Sequence, residues 1–198
     1  LKLITMHIGA GASITAVKNG KSFDTSMGFT PVAGITMATR SGDVDPSLIA
    51  FMQGKLNLSS DEMIDILNHK SGLLGISGIS PDMRDILAAA EKGDDRAQLA
   101  LDIYVNRIVR YIGAYIAEMG GADAIVFTAG VGENSVPVRK MITDKLDYFG
   151  IKIDQEKNDC HGVERDLSAD DAKIKTLLIP TNEELMIVRD IERLKKNN

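Results

Sequence analysis

The chain has 198 residues, 44% of them hydrophobic and 26% charged, with a formal net charge of −5. These values fit one globular domain or one lobe of something larger, and they exclude the basic surface a nucleic-acid-binding protein needs. No apolar run approaches the ~18 residues of a membrane span; no signal peptide is visible and one cysteine cannot form an internal disulfide, so the expected compartment is the cytoplasm.

The chain opens at Leu1, without a methionine and inside a strand-like run, which suggests a fragment or a numbering that begins late. Strands are predicted over 2–8, 13–18 and 21–25, the last two joined by the Asn19-Gly20 pair of KNGK, a strong two-residue hairpin signal. Between the first two lies HIGAGAS, residues 7–13. Glycines at 9 and 11 permit positive φ and close approach of another group, and successive amides in such a turn can hold an anion. A plain β-hairpin turn is the competing reading. Residues 25–46 are rich in Gly, Thr, Ser and Met without a sustained period, as functional irregular segments are.

Helices follow in close succession. One starts at Asp45-Pro46 and runs to about Met52, with proline at its first position. SSDEMIDILNHKSG predicts a second, capped by Ser60 and stopped by Gly72, and residues 80–93 a third. The longest spans 95–119, with apolar residues at helical spacing and Gly120-Gly121 as its stop. Its tyrosines read as core and interface residues. Beyond it come a strand over 122–130, a helix over 136–149, short strands near 151–153 and 174–179, and a helix over 182–196 with Leu185, Val188, Ile191 and Leu194 on one face. This order is that of an α/β lobe.

Four stretches carry possible chemistry. HIGAGAS and TAGVGENS (128–135) are both strand-then-glycine turns, and ligands of α/β sheets bind beyond the carboxyl ends of strands. Gly130 and Gly132 leave room for a flat group, and Asn134 offers an amide. Neither turn has the spacing of a Walker loop or of the dinucleotide fingerprint. In ATRSGDVDP, Arg40 is placed to neutralise charge on a transferring phosphoryl group, or is pinned by a local salt bridge to Asp43 or Asp45. In PTNEELMI, Glu183 and Glu184 open a helix, where the dipole favours carboxylates whatever their function; a magnesium role is the alternative. His7, at a strand exit beside the glycine turn, is a functional candidate. His69 reads as a surface residue. His161, beside the lone cysteine, lacks two further metal ligands at usable spacing.

Taken in order, HIGAGAS, DTSMGFTPVAGITMATRSGDVDP, SPDMRDI, FTAGVGENS and PTNEELMI resemble the acetate kinases, within the actin-like ATPase superfamily, over essentially the whole chain. The resemblance implies an α/β fold: an actin-like ATPase (ribonuclease H-like) lobe with a mixed sheet flanked by helices. It implies reversible phosphoryl transfer from ATP to acetate, giving acetyl phosphate and ADP, with Mg²⁺ or Mn²⁺, in a cytoplasmic homodimer with no nucleic-acid or membrane partner. His7, Ile8, Gly9, Ala10 and Gly11 would form the second phosphate-binding turn, and His7 and Arg40 would stabilise the in-line transition state. Asp82, Met83 and Arg84 would line the nucleotide pocket, Gly130, Val131, Gly132, Glu133 and Asn134 would lie against the adenosine, and Glu183 would be the metal-associated acid. Residues 1–181 would be the nucleotide-binding lobe, and 182–198 a terminal helix that packs on an N-terminal lobe.

Two departures qualify that picture. The family's turn reads His-x-Gly-Asn-Gly, and here Ala10 replaces the asparagine, removing a phosphate contact worth about 1–3 kcal/mol if buried. The N-terminal half, with the first phosphate loop, the catalytic aspartate, the acetate-binding arginine and a further histidine, is absent from these 198 residues. The isolated segment is therefore expected to bind nucleotide weakly and to turn over little or nothing. A non-catalytic nucleotide-binding or dimerisation module, or a kinase for propionate or butyrate, are the alternative readings.

Overall fold

Alternating apolar residues build the sheet that positions everything else. β1 (Lys2–Ile8) turns Ile4, Met6 and Ile8 to one face and β2 (Ala12–Lys18) turns Ala12, Ile14 and Ala16 to the same face, all fully buried. The strands pair antiparallel, with His7 opposite Ser13. At Asn19 and Gly20, φ values of 53° and 76° make the expected tight hairpin, which returns as β3 (Lys21–Thr25), an exposed edge strand. In this computed structural model residues 1–196 are described; residues 197 and 198 of the expected terminal-helix unit lie outside them.

On the other side of β1 the sheet continues with β4 (Ala124–Thr128), β6 (Lys175–Leu178) and β5 (Arg165–Asp166), giving the order β3-β2-β1-β4-β6-β5. β1, β4 and β6 run parallel and the other pairs antiparallel, so the sheet is mixed. The carboxyl ends of the three parallel strands coincide: His7 is level with Thr128, and Phe127 with Leu178.

The helices are α1 (Pro46–Leu56), α2 (Ser60–His69), α3 (Gly72–Ser77), α4 (Met83–Glu91), α5 (Asp95–Met119), α6 (Ala129–Asn134), α7 (Val136–Thr143), α8 (Gln155–Asn158) and α9 (Glu183–Lys196). α5 has the predicted bounds. Asp94 caps it by accepting from the Ala97 amide, and Gly120, at φ 67°, ends it in the left-handed conformation. Leu101, Tyr104, Val105, Ile108, Ile112 and Ile116 form its buried stripe and share one core with Ile4, Met6 and Ile8. Each such aliphatic side chain contributes about 1.5–3 kcal/mol when buried. The opposite sheet face, with Leu3, Thr5, His7, Ser13, Thr15 and Val17, is half-buried. α9 stands apart: every residue of it is exposed, including Leu185, Val188, Ile191 and Leu194.

Several expectations shift. The cap of α2 is Ser59, in a reciprocal capping box with Glu62, because the helix starts one residue earlier than Ser60 as a cap requires. Gly72 does not end α2. It opens α3, at a φ of 61°. Asp82 caps α4, which starts three residues later than expected, and α1 runs on to Leu56. The helix expected over 136–149 breaks after Thr143 into a 3₁₀ turn at Asp147–Phe149. Ile151 and Ile153 make only isolated bridges, and the end of the strand predicted over 122–130 is taken into α6.

Candidate active site

The turn Gly9-Ala10-Gly11 connects Ile8 to its partner Ala12, so HIGAGAS is a β-hairpin. Its glycines are not there for positive φ, which neither adopts. They are there for space. A β-carbon on Gly11 would lie 3.1 Å from Nη1 of Arg40, and one on Gly9 would lie 3.2 Å from the Gly11 carbonyl oxygen.

Arg40 reaches that turn because its own loop is stitched down by backbone. The Ala38 amide donates to the Ala10 carbonyl at 3.1 Å, coupling the two loops directly. The Met37 amide donates to the Arg40 carbonyl, and the Ser71 and Leu73 amides donate to Thr39 and Met37. Gly72 fits beneath them because a β-carbon there would collide with the Met37 carbonyl oxygen. The salt bridge that competed for Arg40 is not formed. Asp43 accepts from the Gly34 amide and the Tyr111 hydroxyl, while Asp45 caps α1. Among the described residues, Arg40's only side-chain partner is the Met37 sulfur, at 3.7 Å. The side chains of His7 and Glu183 have no hydrogen-bond or ion-pair partner among them.

Beyond the turn opens a cavity of about 1140 Å³. Gly9, Ala10 and Ala38 line one end, Asp82, Met83 and Arg84 a second wall, and Gly130, Val131 and Asn134 a third. Leu87, Val136 and Tyr104 add apolar surface. Asp82 caps α4 through the Arg84 amide and also grips the Arg84 guanidinium. The hydrogen bond from Arg84 holds the Asp82 carboxyl down at about 2, so the pair is charged at neutral pH.

The third wall is α6, entered through Ala129 at φ 65°, a conformation that costs an L-residue about 1–2 kcal/mol. The Ala129 amide donates to Glu133 Oε1 at 2.8 Å and to Thr181 Oγ1 at 3.1 Å. The Thr181 amide donates to the same Glu133 oxygen. Glu133 thus ties α6 to the segment leading into α9, and does not face the cavity. At Gly132, α6 sits against Ile8 and Phe127, where a β-carbon would make ordinary contact at 3.6 Å from the Ile8 β-carbon.

Of the candidates, Gly9, Ala10, Asp82, Met83, Arg84, Gly130, Val131 and Asn134 line the cavity. Ile8, Gly132 and Glu133 lie behind its walls, Gly11 and Arg40 lie against each other beside it, His7 stands near the carboxyl end of β1, and Glu183 opens α9, five residues beyond β6. Two residues outside those candidates also shape the site. His161 lines the cavity, its Nδ1 2.9 Å from the Asn134 carbonyl. Arg139, fully buried, spends its donors on the carbonyls of Gly132, Glu133, Asn158 and Cys160 and on Asn158 Oδ1, at 2.7–3.0 Å, with no carboxylate partner. Burial pushes its pKa down. It clamps α6 to the loop that carries His161.

Comparison with known families finds one whose model, described as the acetokinase family, matches residues 1–189. The chain belongs to the acetokinase family. It is 74% identical over 196 residues to the acetate kinase of Limosilactobacillus fermentum, covering 99% of this chain and 49% of that one. The crystal structure of Porphyromonas gingivalis acetate kinase superposes with a TM-score of 0.92 at 45% identity, covering 96% of this chain and 48% of that one. A propionate kinase from Francisella tularensis gives a TM-score of 0.88 at 44% identity, over 93% and 47% of the two chains. The chain therefore spans about half the length of the acetokinases it matches. Its mixed sheet with flanking helices is the actin-like ATPase fold of that family.

Proposed function

We propose that this chain is the nucleotide-binding lobe of an ATP-dependent acetate kinase that transfers the γ-phosphoryl group reversibly to acetate, giving acetyl phosphate and ADP. The observation that carries this reading is Arg40, a guanidinium held by backbone against the Gly9–Gly11 turn and left without a carboxylate among the described residues. A cation fixed beside an amide-bearing turn stabilises charge spread over a transferring phosphoryl group, where catalysis is mostly positioning and neutralisation. A carboxylate acceptor has no proton to lose, so no general base is needed. His7, level with Thr128 at the strand ends, adds a second donor on the same side. The nucleoside occupies the cavity between the Asp82–Arg84 wall and α6.

Membership in the family implies ATP or ADP and a divalent metal, which we assign as magnesium. The residues present fit it: Mg²⁺ is characteristically held by one or two carboxylates together with substrate phosphates and water. Glu183 has its carboxylate uncommitted among the described residues. Glu183 would hold the ion, which supplies charge neutralisation on the phosphate oxygens. α9, amphipathic and exposed, is read as packing on a second lobe, and the working form as a cytoplasmic homodimer. No helix among the described residues is long and apolar enough to cross a membrane.

The similarity to a propionate kinase favours one second reading, a kinase for a slightly longer carboxylate. The uncommitted Arg40 and Glu183 weigh against a non-catalytic module. The test is acetate-dependent acyl phosphate formation, trapped with hydroxylamine, by protein expressed from the complete gene, with propionate and butyrate in parallel. Activity on acetate that Arg40→Ala lowers by about 10³-fold or more supports the proposal; full activity without Arg40 overturns it.

A further inference from the structure

The loop that carries Arg40 is closed at its base by two residues that make a reciprocal pair. The Asp43 amide donates to the Gly34 carbonyl at 2.9 Å, and the Gly34 amide donates to Asp43 Oδ1 at 2.8 Å. The second carboxylate oxygen, Oδ2, accepts from the Tyr111 hydroxyl at 2.6 Å, and the Asp43 carbonyl accepts from Arg107 Nη2 at 2.8 Å. Tyr111 and Arg107 both stand on α5, the helix that forms the core's spine. One aspartate therefore fixes both ends of the Arg40 loop to each other and fixes that junction to the long, largely buried helix α5.

This arrangement is more than packing requires. Asp43 is an exposed residue, yet its carboxylate and carbonyl are all turned inward to the loop and to α5, and the bond from Tyr111 adds to the Gly34 contact that the loop closure itself needs. The Tyr111 ring already has an apolar role, edge-on to Tyr115 at 5.8 Å between centroids. Its hydroxyl is committed separately, in a charge-assisted hydrogen bond of the short class. The closed loop presents Arg40 to the phosphate turn, and among the described residues the Met37 sulfur is its one side-chain partner.

We propose that Asp43, Tyr111 and Arg107 form a latch that sets the position of Arg40 over the phosphate turn, with Tyr111 and Asp43 acting as positioning residues for phosphoryl transfer. The inference rests on the role given to Arg40 above. The latch holds the loop base to α5, the Ala38–Ala10 hydrogen bond holds its tip to the turn, and Arg40 is suspended between the two anchors. Opening the latch leaves the fold and the nucleotide cavity in place, since neither Asp43 nor Tyr111 lines it. It lets the guanidinium wander by a distance that matters in an in-line transfer.

The test is a double-mutant cycle in the enzyme expressed from the complete gene, comparing Arg40→Ala, Tyr111→Phe, Asp43→Ala and the pairs with Arg40→Ala. Tyr111→Phe removes only the hydroxyl and should lower kcat by about 10- to 100-fold, with KM for ATP and the melting temperature nearly unchanged. Asp43→Ala should cost as much or more. In the Arg40→Ala background neither should lower kcat further, because a latch has nothing left to position. Losses that persist undiminished without Arg40, or that in Tyr111→Phe appear as a lower melting temperature or a higher KM for ATP, would overturn the latch while leaving Arg40's own role intact; Asp43→Ala, which also strips the Gly34 amide of its acceptor, is read through its coupling to Arg40 alone. An Arg40→Ala enzyme with full kcat would overturn both.

Discussion

The Arg40 guanidinium lies so close over Gly11 that a β-carbon on that glycine would come within 3.1 Å of Nη1. Gly11→Ala should therefore push the guanidinium away from the turn while disturbing little else. Its backbone is in a region any residue adopts, so the folding cost should be within about 1 kcal/mol. The expected outcome is a near-normal melting temperature with phosphoryl transfer reduced by about tenfold or more. Steady-state kinetics beside thermal denaturation check this.

Gly72 and Gly54 provide an opposed pair. Gly72 sits at φ 61° with no room for a β-carbon above the Met37 carbonyl. Alanine there should cost about 2–4 kcal/mol through left-handed strain plus overpacking. Gly54, within α1 and facing open space, should gain about 0.5–1 kcal/mol on the same substitution. Urea denaturation of the two variants gives the comparison, and equal effects would contradict the packing described for the Arg40 loop.

Arg139 is the buried charge with the most to lose. Arg139→Met leaves the carbonyls of Gly132, Glu133, Asn158 and Cys160 without their donor, so a destabilisation of at least about 3 kcal/mol is expected. Arg139→Lys keeps the charge but cannot reach both chain segments with a planar fork, and should recover only part of the loss. Nucleotide affinity should fall with stability in both, since α6 and the His161 loop lose their clamp. Calorimetric titration with ATP measures it.

The Tyr111 hydroxyl gives the alkaline limit a structural address. Burial, and then its hydrogen bond to Asp43, push its pKa from the ordinary 10.0 up to about 12. The folded protein therefore holds this proton longer than the unfolded chain does. The stabilisation is complete below about pH 10 and is lost as pH rises through about 12. Tyr111→Phe should flatten that part of the stability curve. Denaturant midpoints measured from neutral pH into the alkaline range are the check, and an unchanged slope would refute the assignment.

Much of this architecture was legible from local pattern. The apolar stripe of α5 and its Gly120 stop, the Asn19-Gly20 hairpin and the alternation in β1 and β2 are all encoded within a few residues of where they act. What escaped is set by contacts between segments far apart in sequence. Nothing near Gly34 announces that it lies against Ser26, and nothing near Gly72 announces Met37. His161 enters the cavity only because its loop is bonded to Asn134 and Arg139, and Glu133 turns away from it to hold Ala129 and Thr181. The candidate residues around the cavity were named on family resemblance, since glycine turns alone did not distinguish an anion cradle from a hairpin.

α5 also works as a ruler. Tyr104 forms part of the cavity floor and Tyr111 holds the base of the Arg40 loop. They lie seven positions apart, two helical turns or about 10 Å, which fixes the spacing between the cavity wall and the base of the Arg40 loop. A side-chain exchange on the outer surface of α5 leaves that spacing alone. A single inserted or deleted residue between the two tyrosines would rotate one end against the other by about 100° and shift it by about 1.5 Å. Length, more than composition, is what this stretch of the polypeptide has to keep.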